Sequence, residues 1–182
     1  VNAMLRQMER IARKEKISIL AFKDFDSYHT KFLDPLVKEG FTRMDSLPST
    51  EMEIGFKDFE EYMKTLSGAT RYDLRRKFKK VEASVKIDME IFDSVDGKIL
   101  DEIYGLYLQV LNAHEQSFEV VPKEFFSNIG KNMIGQTKFF TWRIEGRMVA
   151  FVFCMVSKDF LIDYYLGLDY EYAHKYHLYF IK

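Results

Sequence analysis

The chain has 182 residues, of which 47% are hydrophobic and 30% charged, and this balance excludes disorder or low complexity as its main state. Lys and Arg number 27 against 28 Asp and Glu, a formal net charge of -1, which disfavours a globally basic nucleic-acid binder but leaves room for a local basic patch. Aromatic residues make up 16% of the chain, which predicts large buried contacts and more apolar surface than one small core needs.

The sequence pattern of residues 1–56 predicts a helix, a strand, a helical region and a pair of strands. Apolar residues at spacings of three and four predict the first helix. Residues 17–22 (ISILAF) read as a short buried strand, and 26–39 as a helical region that restarts at Pro35. Residues 41–55 alternate loosely, which indicates two short strands broken by a turn.

Residues 57–137 predict helices with one strand among them. The predicted helices are 57–66, 71–82 after a Thr70 cap, 99–111, and one that begins at Pro122. Residues 85–92 alternate between apolar and polar side chains, which is typical of a half-buried strand.

The clearest β pattern follows in residues 138–168. Three strands, 138–144, 147–156 and 160–168, form a predicted antiparallel meander, with Glu145 and Gly146 as the first hairpin loop. Residues 173–182 then have the pattern of a helix.

The only cysteine, Cys154, lies within the longest apolar run, residues 148–156, so we expect a buried and unreactive thiol and no internal disulfide. That run is about half as long as a transmembrane helix requires. Residues 1–16 are charged and helical in pattern, unlike a signal peptide. We therefore expect a soluble, cytoplasmic protein without a membrane span.

Several segments carry a more specific likeness. They are 59–67 (FEEYMKTLS), 71–80 (RYDLRRKFKK), 146–153 (GRMVAFVF), 159–170 (DFLIDYYLGLDY) and 178–180 (LYF). In these segments, and in its order of strand, two helices, meander and helix, the chain resembles FemAB-like proteins of the GNAT acyltransferase fold.

This resemblance implies a mixed α/β (α+β) fold in which a GNAT-type, largely antiparallel sheet is flanked by helices. It also implies an N-acyltransferase that moves an acyl or aminoacyl group from a thioester or ester donor, such as acyl-CoA, to an amine acceptor. The family often joins two GNAT-like units. Residues 1–56 resemble the back half of one unit and 57–182 the front half of a second, so we expect an excerpt of a longer protein.

The chain departs from GNAT enzymes where these hold the coenzyme A pyrophosphate on the backbone N–H groups of a glycine-rich loop. The corresponding residues, 167–176 (GLDYEYAHKY), contain one glycine, and Asp169 and Glu171 add negative charge. FemAB relatives draw on aminoacyl-tRNA instead. The missing loop also favours the alternative of a non-catalytic GNAT-like binding or scaffolding module.

Asp163, on the third strand of the meander, is the sharpest catalytic candidate, as a base that deprotonates the incoming amine. Strict alternation places Tyr165 on the same face, where it could return a proton to a thiolate. The alternative for Asp163 is an ion pair with a neighbouring Lys or Arg. The resemblance implies that the backbone of this strand at Leu166, Gly167 and Leu168 holds the donor.

The resemblance to the GNAT fold implies that the loop after the long helix borders the acceptor pocket. His114 is a candidate base or substrate contact, with Gln116 and Ser117 beside it. The alternative for His114 is a histidine favoured at a helix C-terminus by the helix dipole.

Residues 71–80 contain six basic residues and one acidic residue. Arg71, Arg75 and Arg76 lie on or beside one helix face and could hold phosphates of RNA or of a lipid-linked precursor. The alternative is a solvated face paired with acidic residues.

His174 and His177 have a spacing of three, but aromatic packing explains them better than zinc, and we expect no metal site. The expected partners are a small-molecule acyl donor and an amine acceptor, with aminoacyl-tRNA as a possible RNA partner and a homo-oligomer as a possible assembly.

Overall fold

The computed structural model divides the chain into two compact units, Val1–Lys57 and Asp58–Lys182. That each unit is part of a GNAT-like unit stays a prediction. The residues that the structure describes are 2–23, 25, 28–45, 49–113 and 119–180.

In its described residues the first unit has three helices, α1 (Asn2–Lys14), α2 (Thr30–Leu33) and α3 (Pro35–Lys38). Helix α3 begins with Pro35 as predicted, because the fixed φ of proline suits the first helical turn and its missing N–H is not needed there. Leu5 and Leu36 are buried.

The strands predicted at 17–22 and 41–55 are wrong, since the described residues of the first unit form no strand. A strand needs a neighbour for its backbone N–H and C=O groups, and no described segment of this unit pairs with either range. Ile19 is accordingly 79% exposed instead of buried.

The second unit carries four strands and five α-helices among its described residues. The helices are α4 (Phe59–Thr65), α5 (Gly68–Ser84), α6 (Gly97–Ala113), α7 (Lys123–Asn132) and α8 (Tyr170–Tyr176), followed by a 3-10 turn (Leu178–Phe180). The strands are β1 (Ile87–Phe92), β2 (Thr137–Ile144), β3 (Arg147–Val156) and β4 (Leu161–Leu168).

The four strands form one antiparallel sheet in the order β1-β2-β3-β4, flanked by helices, which confirms the predicted α+β class. The predicted hairpin loop is present, because Glu145 and Gly146 both have positive φ, 51° and 79°. Such a pair matches the right-handed twist of the strands on either side.

One face of the sheet packs against α6 and α7. Phe139, Phe151 and Phe153 project from the strands, and Phe126 of α7 meets the Phe151 ring edge-on at 6.0 Å. Aromatic rings prefer this edge-to-face geometry. The aromatic-rich meander therefore builds the main core, together with Ile103 of α6.

The other face packs against α8 and the 3-10 turn, through Ala173 and Leu178. Cys154 lies on this face and is buried, as predicted. Burial, with a smaller effect of the Asp163 charge, raises the pKa of the Cys154 thiol to about 11.

Helices α5 and α8 and strand β1 show the clearest differences from the predictions. Helix α5 begins at Gly68, because the Ser67 hydroxyl rather than Thr70 caps it. Helix α8 begins at Tyr170, three residues before the predicted start. Strand β1 is at the edge of the sheet, and Met89 on it is 55% exposed rather than half-buried.

Across the described ranges, no helix has both the length and the apolar character that crossing a membrane requires.

Candidate functional site

A groove of about 390 Å³ lies between helix α6 and strand β4. Its volume falls in the range of small-molecule sites. The groove is lined by Tyr107, Val110, Leu111, Glu119, Asp163, Tyr164, Tyr165 and Leu166. Three residues predicted from the sequence, Asp163, Tyr165 and Leu166, thus meet at one place.

Strand β4 contains a β-bulge beside the groove. Tyr165 lies opposite Phe153 and Asp163 lies opposite Cys154, so Tyr164 is an extra residue in the ladder. A bulge leaves one residue unpaired and bends its strand. Among the described strands, β4 is the last in the sheet order, so the bulge lies on an edge strand.

The bulge overturns the predicted shared face of Asp163 and Tyr165. Cross-strand partners project to the same side, so Tyr165 shares the face of Phe153 and Asp163 shares the face of Cys154. Strict alternation fails because the extra residue shifts the register by one. Both residues still line the groove.

Aromatic contacts and a hydrogen bond hold the Tyr165 side chain on the face of the sheet that packs against α6 and α7. Its ring stacks on Phe153 at an interplanar angle of 13° and meets Tyr107 and Phe125 edge-on at 5.8 and 5.7 Å. Its hydroxyl donates a hydrogen bond of 2.7 Å to Oε1 of Glu119. Burial first, and Glu119 second, raise the pKa of Tyr165 well above its usual value. The side chain therefore remains a protonated hydrogen-bond donor at neutral pH.

Glu119 is the charged groove residue that the sequence predictions missed. It precedes α7, and its neighbouring segment is also held, because the Tyr107 hydroxyl accepts a 3.1 Å hydrogen bond from the Val121 N–H. The sequence contains one indication of such a residue, because a tyrosine within an apolar stripe needs a hydrogen-bond partner for its hydroxyl. That signal does not identify the partner.

Of the residues predicted to hold the donor, Leu166 lines the groove, whereas Gly167 and Leu168 are buried behind it. A Cβ on Gly167 would lie 2.4 Å from the Phe151 ring and 2.7 Å from the backbone of Leu106. Only glycine allows helix α6 and strand β4 to approach this closely. Donor binding by these residues stays a prediction.

The N-terminus of α8 follows β4 directly, and Asp169 occupies it. The buried carboxylate of Asp169 accepts hydrogen bonds from the N–H groups of Glu171 (3.2 Å) and Tyr172 (3.4 Å), and from Arg147 (2.5 Å). A coenzyme A pyrophosphate would need these N–H groups itself and would meet a second negative charge. The residues present do not fit a pyrophosphate here.

The three predicted phosphate contacts lie on α5 with partners of their own. Arg75 pairs with Glu60 at 3.0 Å, and Arg76 pairs with Asp73 at 2.8 Å. Hydrogen bonds from Arg76 and Lys77 lower the pKa of Asp73. Exposed pairs of this kind are weak and can exchange for other anions. Phosphate binding by this face remains a prediction.

Arg71 differs from these two arginines, because its guanidinium donates to the Met63 carbonyl oxygen at 3.4 Å. This bond joins α5 to α4. Phosphate binding by Arg71 also stays a prediction.

Three predicted acceptor-side residues, His114, Gln116 and Ser117, lie outside the described residues. His174 stacks with Tyr170 at 6.5 Å, in agreement with the packing interpretation. In the part of the chain that the structure describes, no three His, Cys, Asp or Glu side chains are grouped so that they could hold a metal ion.

The first unit has a groove of its own, of about 420 Å³, between α1 and the segment that follows it. Glu9, Arg13 and Lys16 contribute mixed charges to its wall, with Phe41 among the apolar residues. No residue singled out from the sequence lies there.

The family model of FemAB-like proteins, described as peptidoglycan biosynthesis/recognition, matches residues 1–180. The match spans both compact units. A search of curated proteins finds no match to the chain.

Proposed function

Because the chain belongs to the FemAB-like family of peptidoglycan biosynthesis/recognition, we propose that it takes part in transferring an aminoacyl or acyl group to an amine of a peptidoglycan precursor. The proposal includes a GNAT-type fold, with the two units as parts of two GNAT-like units. The observation that carries it is the groove beside the β4 bulge, where a carboxylate, a tyrosine and an edge strand meet.

In the proposed reaction the acceptor amine attacks the carbonyl carbon of the donor ester. A C–N bond forms, the C–O bond of the ester breaks, the amine proton goes to a base, and the leaving oxygen takes up a proton. We assign the base to Asp163. An edge strand such as β4 presents backbone N–H groups, which are suited to hydrogen-bond the carbonyl oxygen as it becomes negative.

We propose direct attack, without a covalent enzyme intermediate. The only cysteine, Cys154, is buried, and its raised pKa leaves almost no thiolate at neutral pH. Tyr165, whose pKa is also raised, serves as a positioning group because its hydroxyl already donates to Glu119.

Of the two donor classes, we favour an aminoacyl-tRNA ester over acyl-CoA. The carboxylate of Asp169 already binds the N–H groups at the start of α8, which argues against a pyrophosphate there. The basic face of α5, with Arg75 and Arg76 in exposed ion pairs, is a proposed contact for RNA phosphates.

A second candidate is recognition of a peptidoglycan precursor without transfer. The Asp169 cap favours recognition, because its carboxylate occupies the N–H groups that hold the pyrophosphate of a coenzyme A thioester in GNAT enzymes. The family description also names recognition beside biosynthesis. A recognition module would use the same groove for the amine.

A transfer assay separates the two candidates. The full chain is incubated with tRNA carrying radiolabelled amino acids, or with labelled acetyl-CoA, and a UDP-linked pentapeptide precursor that carries a lysine amine. We expect label to pass from tRNA to the precursor and not from acetyl-CoA. Asp163→Asn should lower kcat by about 100-fold to 10,000-fold, whereas Glu124→Gln, outside the groove, should not.

Precursor binding without transfer from either donor would assign the recognition function. Neither binding nor transfer would contradict both candidates.

A further inference from the structure

We propose that helix α1 of the first unit docks the chain on a membrane surface that contains anionic lipids. In this arrangement the basic side chains on its exposed face contact lipid phosphates, and the neighbouring apolar side chains enter the membrane interface. Such docking is independent of the proposed function, because α1 contributes no residue to the groove beside β4.

Helix α1 carries a dense group of basic residues. Residues 6–16 contain five basic residues against two acidic ones, although the whole chain has a net charge of -1. Arg6, Arg10 and Arg13 follow one another at spacings of four and three, so they lie on one face of the helix. Lys14 lies beside this face, and all four residues are exposed. The exposed side of α1 is therefore positively charged over most of its length.

The arginines of α1 have no counter-ion among the described residues. Arg6, Arg10 and Arg13 form no ion pair or side-chain hydrogen bond within the described ranges. On α5, by contrast, Arg75 and Arg76 each pair with a carboxylate. Like charges four residues apart, such as Arg6 and Arg10, repel each other and destabilise a helix. A negatively charged surface removes this repulsion, so the exposed side of α1 is complementary to an anionic partner.

Apolar side chains border the basic face of α1. Met4 is 52% exposed and Ile11 is 45% exposed, and their spacing of seven places them on one stripe of the helix. Ile17, just after the helix, is 51% exposed. The inner side of α1 is already covered, since Leu5 is buried. Exposed apolar side chains beside basic ones are typical of a helix that lies in a membrane interface.

The groove of about 420 Å³ at the end of α1 has the same combination of side chains. Arg13 and Lys16 contribute positive charge to its wall, Glu9 contributes one negative charge, and Ile17 and Phe41 contribute apolar surface. A lipid phosphate accepts hydrogen bonds from both cations, and the first carbons of an acyl chain pack against the apolar wall. The groove is therefore suited to hold one lipid headgroup within the docked face.

Among anionic partners, the apolar border favours a lipid bilayer over RNA. An RNA backbone offers phosphates to the arginines but no apolar phase to Met4 and Ile11. Residues 1–20 contain no aromatic side chain on which an unpaired base could stack. A bilayer with anionic headgroups offers both negative charge and an apolar interior at the same surface.

Sedimentation of the full chain with lipid vesicles tests the docking without requiring turnover. We expect binding to vesicles of mixed phosphatidylglycerol and phosphatidylcholine, little binding to phosphatidylcholine alone, and weaker binding at high salt. The triple variant Arg6→Gln/Arg10→Gln/Arg13→Gln should bind the mixed vesicles at least tenfold more weakly, because each basic residue near an anionic surface contributes about fivefold. Met4→Gln/Ile11→Gln keeps the charge and should bind about fivefold more weakly.

Lys98→Gln/Lys131→Gln/Lys158→Gln is the matched control. It removes the same amount of positive charge from three exposed lysines of the second unit, and it should bind the mixed vesicles like the wild type. Glutamine is a good helix former, so the arginine variant should keep its helix content, which circular dichroism measures.

A fluorophore that responds to polarity tests the same face in a chain that keeps all its charges. Attached to Ile11→Cys, it should shift its emission to the blue when mixed vesicles are added. Attached to Ile134→Cys, at a site in the second unit where the native side chain is 84% exposed, it should not shift. The buried Cys154 does not compete for the label.

Several results would overturn the proposal. They are equal binding of the wild type to both kinds of vesicle, unchanged binding by the arginine variant, an equal loss in the lysine control, or no blue shift at position 11. A labelled single-stranded RNA serves as a further probe. If this RNA binds through the three arginines while the mixed vesicles do not bind the wild type, the face is an RNA contact and the membrane proposal is wrong.

Discussion

The two halves of strand β4 pair with the same neighbour but differ in what covers them. In the first half, Leu161 is 50% exposed, and Ile162 and Tyr164 are exposed as well. In the second half, Gly167 and Leu168 are buried, with Leu168 only 1% exposed. Both halves belong to the β3–β4 ladder, so the difference arises from what packs on the second half. Helix α6 approaches Gly167 closely, and Leu168 packs with Ala173 and Leu178 on the other face.

The two halves of this strand therefore have different roles, since one stabilises the fold and the other contributes to the groove. The buried residues Gly167 and Leu168 fix β4 in the core, whereas the exposed half carries the bulge at Tyr164 and part of one groove wall, which Tyr165 and Leu166 complete. Substitutions in the two halves should therefore affect different properties. Those in the second half should change the stability of the fold, and those in the first half should change ligand binding or catalysis.

The largest effect on stability is expected at Gly167. Gly167→Ala places a Cβ 2.4 Å from the Phe151 ring and 2.7 Å from the Leu106 backbone, so α6 and the sheet must separate. We expect the free energy of unfolding to fall by about 3 kcal/mol, measured by urea denaturation.

Gly105→Ala on α6 is the matched control, because a Cβ there meets nothing within 4 Å. It should stabilise the chain by about 0.5 to 1 kcal/mol, since alanine favours a helix interior. Equal effects of the two substitutions would show that α6 does not pack on Gly167.

A smaller effect is expected from the buried thiol opposite the exposed half. Because folding raises the pKa of Cys154 from about 9 to about 11, its contribution is present below pH 9 and is lost as the pH rises toward 11. Wild type should lose about 2 kcal/mol more than Cys154→Val across this window. Urea midpoints of both proteins at pH 8 and 11 measure the difference. Parallel losses would mean that the thiol is hydrated.

The smallest effect is expected on the exposed half of β4. Ile162→Thr keeps a β-branched side chain on the strand and removes apolar surface that is already exposed. We expect the free energy of unfolding to change by less than about 0.5 kcal/mol, measured by thermal denaturation. A loss above about 1 kcal/mol would show that this half is covered in solution.

The parts of the fold that follow local rules could be predicted from the sequence. The hairpin at Glu145 and Gly146 follows from turn chemistry, and the burial of Cys154 follows from its apolar run. The sequence predicts Asp163, Tyr165 and Leu166 on one strand, and they do line one groove.

The remaining features depend on contacts distant in sequence. The bulge at Tyr164 is set by pairing with β3, so alternation along β4 alone assigned Asp163 to the wrong face. Glu119 lies 46 positions from its partner Tyr165 and on no periodic element. The strand predicted at 17–22 had the right residue types, but a strand forms only where a neighbour pairs with it.

The most direct test of the groove as an amine-transfer site is the pair of kinetic constants for the lysine-bearing precursor, with charged tRNA as donor. The account predicts that Asp163→Asn lowers kcat with little change in KM, whereas Glu124→Gln leaves both constants unchanged. A wild-type kcat in Asp163→Asn would contradict it.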